Sequence, residues 1–241
     1  MVVATSSVLA KRFKRDEVRS LLKKSFSTAS GEVSYFLALS AKKLLAENFS
    51  HSEKLHLFIQ DVINEAGIVI SDLEAIAISK GPGSYTGLRI GVAAAKGLCF
   101  ALDLPLIAIN TLTIMVQPFF DKKDLDFLIP MLDARRMEVY TSVFNKRQNI
   151  KMQTKALVLS EDSFVNIVEN GNCLIIGNGA SKFKSLNPKI DAHFNKEIHY
   201  PSAEDMCLLA WKKFKNKDFE VLASFEPYYL KDFQTTSSKK K

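Results

Sequence analysis

The residues best placed by type and spacing to do chemistry run from Lys80 to Gly91, in the order Lys-Gly-Pro-Gly-Ser-Tyr-Thr-Gly-Leu-Arg-Ile-Gly. Gly81, Gly83, Ser84 and Thr86 make a glycine-rich turn with two hydroxyls. Backbone N–H groups at such a turn suit an anion such as phosphate, or a close backbone contact. The run is not a P-loop, because Lys80 precedes the glycines and the GxxxxGK[ST] order is absent. Ser84 does not fit a hydrolase nucleophile, since Tyr85 and Thr86 follow it and break the GxSxG order. A second constellation is Asp133, Arg135, Arg136 and Glu138. In a tight turn Asp133 would stabilise the backbone and Arg136 would pair with Glu138. Alternatively, the arginines meet a partner protein, a nucleotide or an RNA, because guanidinium groups pair with phosphate or carboxylate in a bidentate fashion.

No catalytic residue, metal-ligand set or cofactor motif emerges. His51 and His56 are five apart and do not share a helix face well enough to bind one metal; the HExxH order is absent. His193 and His199 stand alone in a polar stretch and read as capping or surface residues. Cys99, Cys173 and Cys207 are odd in number and far apart, with no CxxC. They suggest neither a zinc site nor a disulfide frame; Cys99 and Cys207, in apolar helical surroundings, read as buried thiols, and a reducing cytoplasm fits.

The elements that must position these residues follow from periodicity. A short apolar run at 75–78 reads as a buried strand feeding the glycine turn. A helix over 86–102 and a strand over 104–109 complete a βαβ unit with parallel strands. Ser50-His51-Ser52-Glu53 is a capping box, and Leu55, Phe58, Ile59, Val62, Ile63 and Ala66 form one face of the helix behind it. Gly67 ends that helix. Residues 32–46 read as a hairpin and 113–126 as a helix followed by a charged turn. Strands are expected at 127–132 and 137–144 around the Asp-Ala-Arg-Arg turn, with a third at 151–159. A helix from 160, a strand at 173–176 closed by Gly177-Asn178-Gly179, and a helix over 202–214 follow. The two halves share this layout, as in a duplicated actin-like ATPase fold. The chain divides into a basic extension (1–24), two actin-like subdomains (25–110 and 111–230) and a basic tail (231–241).

The helix over 88–102 is apolar on too many sides for one stripe. Gly87, Gly91 and Ala95 lie four apart, and small residues at that spacing admit a close helix. A sheet covers one face; the other is covered by a second layer of the same chain or by a partner.

Net charge and length set the outer bounds. The charge of +7 resides at the ends: residues 1–24 carry seven Lys/Arg against two acids, and Lys239–Lys241 add three more positives. The middle is near neutral, so the basic balance reports solvated ends more than a nucleic-acid groove. The 241 residues, 47% hydrophobic, can bury a sizeable core. No apolar run approaches the about 18 residues of a membrane-spanning helix, and no secretory signal is read.

Four segments carry a resemblance: Asn48–Leu55, the Gly81–Gly91 turn, Asp133–Tyr140 and Glu226–Leu230. They resemble, in order and over residues 45–230, the TsaB (YeaZ) family. The resemblance implies an α/β, actin-like and Hsp70-like (ribonuclease H-like) fold with two related subdomains. It implies a non-catalytic scaffold in making threonylcarbamoyladenosine on tRNA. Such a subunit pairs with TsaD, helps recruit the ATPase TsaE, meets tRNA through the complex, and self-pairs when alone. The implied partner surface comprises Leu55, Phe58, Ile59, Gly87, Leu88, Gly91 and Ala95. Metal histidines of TsaD lie on a helix whose comparable stretch here, 111–117, has neither His nor acid. An acidic residue is usual in the family's first turn, where this chain has Ser27 within Phe26–Ser30. The competing reading is an actin-fold nucleotide phosphotransferase or hydrolase with phosphate at the Gly81–Thr86 turn.

Overall fold

Alternation of small and large residues on two buried strands builds the first sheet. The computed structural model describes residues 2–4, 37–39, 51–66 and 68–231. Strands β1 (Val2–Ala4), β2 (Leu37–Leu39), β3 (Ile76–Gly81) and β4 (Leu106–Asn110) pair in the order β2-β1-β3-β4, all parallel. Ala77 lies opposite Ile107 and Ile78 opposite Ala108, so at these pairs a large side chain sits beside a small one, while Ile76 meets Leu106. Ile76, Ile78, Leu106 and Ala108 face one side of the sheet, and Ala75, Ala77, Ile107 and Ile109 face the other. Burial on both faces is what all-parallel strands require.

Helices α1 (His51–Ala66) and α2 (Tyr85–Leu102) cover one side. Val92, Ala95 and Cys99 of α2 pack on β3 and β4. Its Ile90, Ala94 and Leu98 pack against Leu55, Ile59 and Ile63 of α1. A second layer of the same chain therefore covers another of its apolar faces. Each such side chain contributes about 1.5–3 kcal/mol when fully buried.

The chain passes to the second sheet through α3 (Thr111–Val116), where Leu112, Ile114, Met115 and Val116 are all at 0% exposure. Ile114 packs with α6 (Ala203–Lys215) beneath the first sheet, while Leu112, Met115 and Val116 pack beneath the second. The second sheet comprises β5 (Phe127–Asp133), β6 (Glu138–Asn145), β7 (Ile150–Val158), β8 (Cys173–Ile176) and β9 (His193–Phe194). Their order is β7-β6-β5-β8-β9, which places β7 at one edge among the described residues. The first three are antiparallel, as two tight hairpins require; β8 and β9 join in parallel. Two short helices, α4 (Val165–Val168) and α5 (Ala180–Leu186), lie in the intervening connections.

Several local expectations change. Leu37–Leu39 forms a parallel pair with β1, and the rest of the hairpin expected over 32–46 lies outside the described residues. Val2–Ala4, expected within an extension, is a strand between β2 and β3. The helix expected from 160 is reduced to Val165–Val168, because Phe164 takes a left-handed φ of 64° just before it. The α5 helix and β9 were not anticipated. Ser50, Gly67 and the turn at 26–30 lie outside the described residues.

Gly177 ends β8 with φ +99°, and an added Cβ there would run into the carbonyl of Met131 on β5. Gly97 on α2 is the opposite case, with no heavy atom within 4 Å of an added Cβ. Gly177→Ala should lower stability by about 2–4 kcal/mol, through strain and collision. Gly97→Ala should raise it by about 0.5–1 kcal/mol, through helix propensity. Denaturant unfolding of both variants checks this; a Gly177→Ala midpoint equal to wild type would contradict the turn as described.

Candidate functional site

The glycine turn forms where β3 loses register with β4, between Ser79 and Gly81. Gly81 has φ +111° and the Gly81–Pro82 peptide is cis. Ser84 caps α2: its Oγ accepts from Gly87 N at 3.4 Å, and its carbonyl accepts from Leu88 N at 2.8 Å. Capping a helix start is the common use of a serine in this position. Gly83 is half-buried, and Ser84 and Thr86 are exposed.

The hollow left by Gly81 is filled from the same chain. Tyr228 N donates to Lys80 O at 2.7 Å, and Tyr228 O lies 2.8 Å from where a Gly81 Cβ would stand. Beside it the rings of Tyr85 and Tyr229 are 4.9 Å apart. Arg89 reaches back to Tyr85 Oη at 3.2 Å, its guanidinium 5.5 Å from the Tyr85 ring centre. Burial pushes the Tyr229 hydroxyl pKa up, Tyr85 adds to the rise, and Arg89 opposes it. A carbonyl oxygen in the Gly81 hollow is the wrong sign for holding phosphate there.

The arginine turn is a separate cluster at the β5–β6 hairpin. Arg135 and Arg136 both take left-handed φ, 68° and 47°. Asp133 Oδ1 accepts from Arg135 N at 2.6 Å and from Lys182 Nζ at 2.9 Å. Asp133 N donates to Asn178 Oδ1 at 2.9 Å, and Lys182 Nζ also donates to Glu138 O at 3.2 Å. The Glu138 carboxylate pairs with Lys231, whose ammonium lies 6.0 Å from the Tyr140 ring. The expected Arg136–Glu138 pair is therefore replaced by Lys231–Glu138, and both arginines remain exposed. Lys182, Asn178 and Lys231 were missed because they lie 44 or more residues from their partners, and no local spacing announces them.

Of the positions expected on a partner surface, Leu55, Ile59, Leu88 and Ala95 are buried in the chain's own core, and Phe58 is half-buried. Gly91 is half-buried facing β3, its added Cβ 3.6 Å from Ile78 Cδ1, and Gly87 is half-buried. The small-residue stripe thus runs along the sheet, which leaves these positions little to offer another chain. The outer face of α2 is Ala93, Gly97, Phe100 and Ala101, with Phe100 84% exposed.

The described residues assemble no metal centre. Among them no three His, Cys, Asp or Glu side chains group closely enough to hold a metal ion. The 111–116 stretch is the buried apolar helix α3. Burial pushes Cys99, Cys173 and Cys207 each up to about 11, with nearby Asp126 adding to the rise for Cys173 and Glu204 and Asp205 for Cys207. No helix among the described residues is long and apolar enough to cross a membrane.

The family model for TsaD, tRNA N6-adenosine threonylcarbamoyltransferase, matches residues 46–237. The tRNA threonylcarbamoyladenosine biosynthesis protein TsaB of Haemophilus influenzae is 29% identical over 196 residues, 76% of this chain and 80% of its own. The TsaB of Escherichia coli K12 is 28% identical over 187 residues, 76% of this chain and 81% of its own. A crystal structure of an uncharacterized Pseudomonas aeruginosa protein with similarity to peptidase YEAZ aligns with TM-score 0.65 at 25% identity, covering 76% of this chain and 85% of that one. The mixed α/β, actin-like fold expected from the sequence is the one observed.

With pKa values near 11, the thiolate fraction at pH 7 is about 10⁻⁴. Iodoacetamide should therefore label the folded chain slowly, with rates rising about tenfold per pH unit between pH 7 and 9. Unfolded chain should label fully. Mass spectrometry follows all three sites, and labelling of any one at the rate of free cysteine at pH 7 would contradict this burial.

Proposed function

The chain belongs to the tRNA N6-adenosine threonylcarbamoyltransferase family, on its TsaB (YeaZ) side, and from that premise we propose that it is a non-catalytic subunit in the synthesis of threonylcarbamoyladenosine on tRNA. It pairs with a TsaD-like catalytic subunit, helps a TsaE-like ATPase to dock, and meets tRNA through the complex. Alone, it covers the same surface with a second copy.

The observation that carries this reading is the outer face of α2. Ala93 and Gly97 leave a shallow strip, and Phe100 projects from the same face at 84% exposure. A large exposed apolar side chain beside small residues is a seat for another helix. Aromatic anchors are enriched where proteins meet. The absence of enzyme activity is supported by the uses already given to the reactive groups. Ser84 caps a helix, the thiols are protonated, and Asp133 and Glu138 are taken by lysines. The alternative, a nucleotide phosphotransferase or hydrolase at the Gly81–Thr86 turn, is disfavoured by the Tyr228 carbonyl seated against Gly81.

Phe100→Asp and Gly97→Arg should each weaken binding of the TsaD-like subunit at least about tenfold, by burying an unpaired charge. Both positions are exposed in the isolated chain, so its melting should stay near wild type. Calorimetry with the partner and thermal melting read the two effects separately. Normal melting with wild-type affinity would place the interface elsewhere. Purified chain with ATP and magnesium should show no turnover; turnover of about one per second would overturn the scaffold reading.

A further inference from the structure

Residues 219–231 follow the last helix with no long regular element of their own, yet they are fastened along their whole length. Glu220 N donates to Leu106 O at 2.8 Å, forming an isolated antiparallel bridge to β4, and Lys80 Nζ lies 3.9 Å from Glu220 Oε1. Lys96 Nζ of α2 donates to the carbonyls of Ala223 at 3.3 Å and Phe225 at 2.9 Å. The Phe225 ring is buried among Ile76, Ile78 and Val92. Tyr228 N then bonds the Lys80 carbonyl, and the chain crosses to the other sheet. There Tyr228 Oη donates to Thr154 O on β7 at 3.5 Å, and Lys231 pairs with Glu138 on β6.

The two ends differ in kind. The first-sheet end is held by backbone hydrogen bonds and a buried ring. Among the described residues, the second-sheet end is held by one long hydrogen bond, an ion pair with 32% and 20% of its side chains exposed, and the Lys231 ammonium near the Tyr140 ring. Partly exposed ion pairs contribute little and weaken in salt. Local opening begins where few buried contacts hold a segment.

We propose that residues 219–231 form a releasable clasp between the two sheets. Shut, it ties β6 and β7 to β3 and β4 and fills the Gly81 hollow with the Tyr228 carbonyl. It opens from the Lys231 end, hinges near Phe225, and then bares the glycine turn. This does not rest on the scaffold reading, because the contacts are within one chain.

Hydrogen exchange on the full chain tests it. In wild type the Glu220, Phe225 and Tyr228 amides should all be protected. Lys231→Glu sets two carboxylates against each other and should speed exchange at Tyr228 at least tenfold, while Glu220 stays slow. The double exchange Lys231→Glu with Glu138→Lys should restore protection. Unchanged exchange at Tyr228, or equal acceleration at Glu220, would overturn the hinged clasp. Should Lys231→Glu fail to fold, wild type serves: raising salt from about 0.05 to about 1 M should speed Tyr228 exchange and spare Glu220. No salt effect at Tyr228 would equally overturn it.

Discussion

The rest of the structure depends on the burial of α3. Six residues, Thr111–Val116, lie between two sheets, and four of their side chains have no solvent contact. Ile114 belongs to one core and Leu112, Met115 and Val116 to the other. A helix so short has almost no intrinsic stability, so packing on both sides must hold it. Its start is satisfied by Asn110, whose Oδ1 accepts from Leu112 N at 2.8 Å and whose Nδ2 donates to Thr154 Oγ1 at 3.2 Å. Ser79 Oγ and Thr111 Oγ1, buried together, meet at 2.6 Å. The end of β3, the entry to α3 and strand β7 are thus fixed in one place, and the glycine turn inherits its position from them.

What was legible in the sequence was what short-range periodicity encodes. The run at 75–78 became the buried β3, and the apolar segment after the glycines became α2, as a βαβ unit with parallel strands. The hairpin around Asp133 followed from strand patterns and turn residues, and the strand expected at 151–159 became β7. What was not legible was long-range pairing. Nothing near residue 37 announces a parallel partner at residue 2. The wheel of α2 correctly demanded more than one cover but could not say which face met which. Gly91 and Ala95 met the sheet, and Ala94 met α1.

The charged turn teaches the same lesson about electrostatics. Arg136 and Glu138 are neighbours in sequence, and proximity suggested a pair. The left-handed backbone at Arg135 and Arg136 instead orders the tip through the Asp133 carboxylate. Lysines from α5 and from the C-terminal segment then take the acids. Lysine suffices for a single carboxylate oxygen, whereas arginine's planar fork suits two. The residues whose geometry best recognises an outside anion are therefore the ones left facing solvent.

The β7 edge of the second sheet has a bearing on how the chain behaves in concentrated solution. Strand β7 runs nine residues with a strand on only one side among the described residues, and Ile150 and Val158 at its ends are 46% and 68% exposed. An open edge of that length is a template for strand addition and fibril growth. Lys151 and Lys155 stand exposed along it, and register breaks near Thr141 and Val143 twist its pairing with β6. A second copy approaching edge to edge brings its own lysines against these two, and the like charges drive it off. Lys151 and Lys155 are thus the charges that guard this edge, and neutralising them removes that guard.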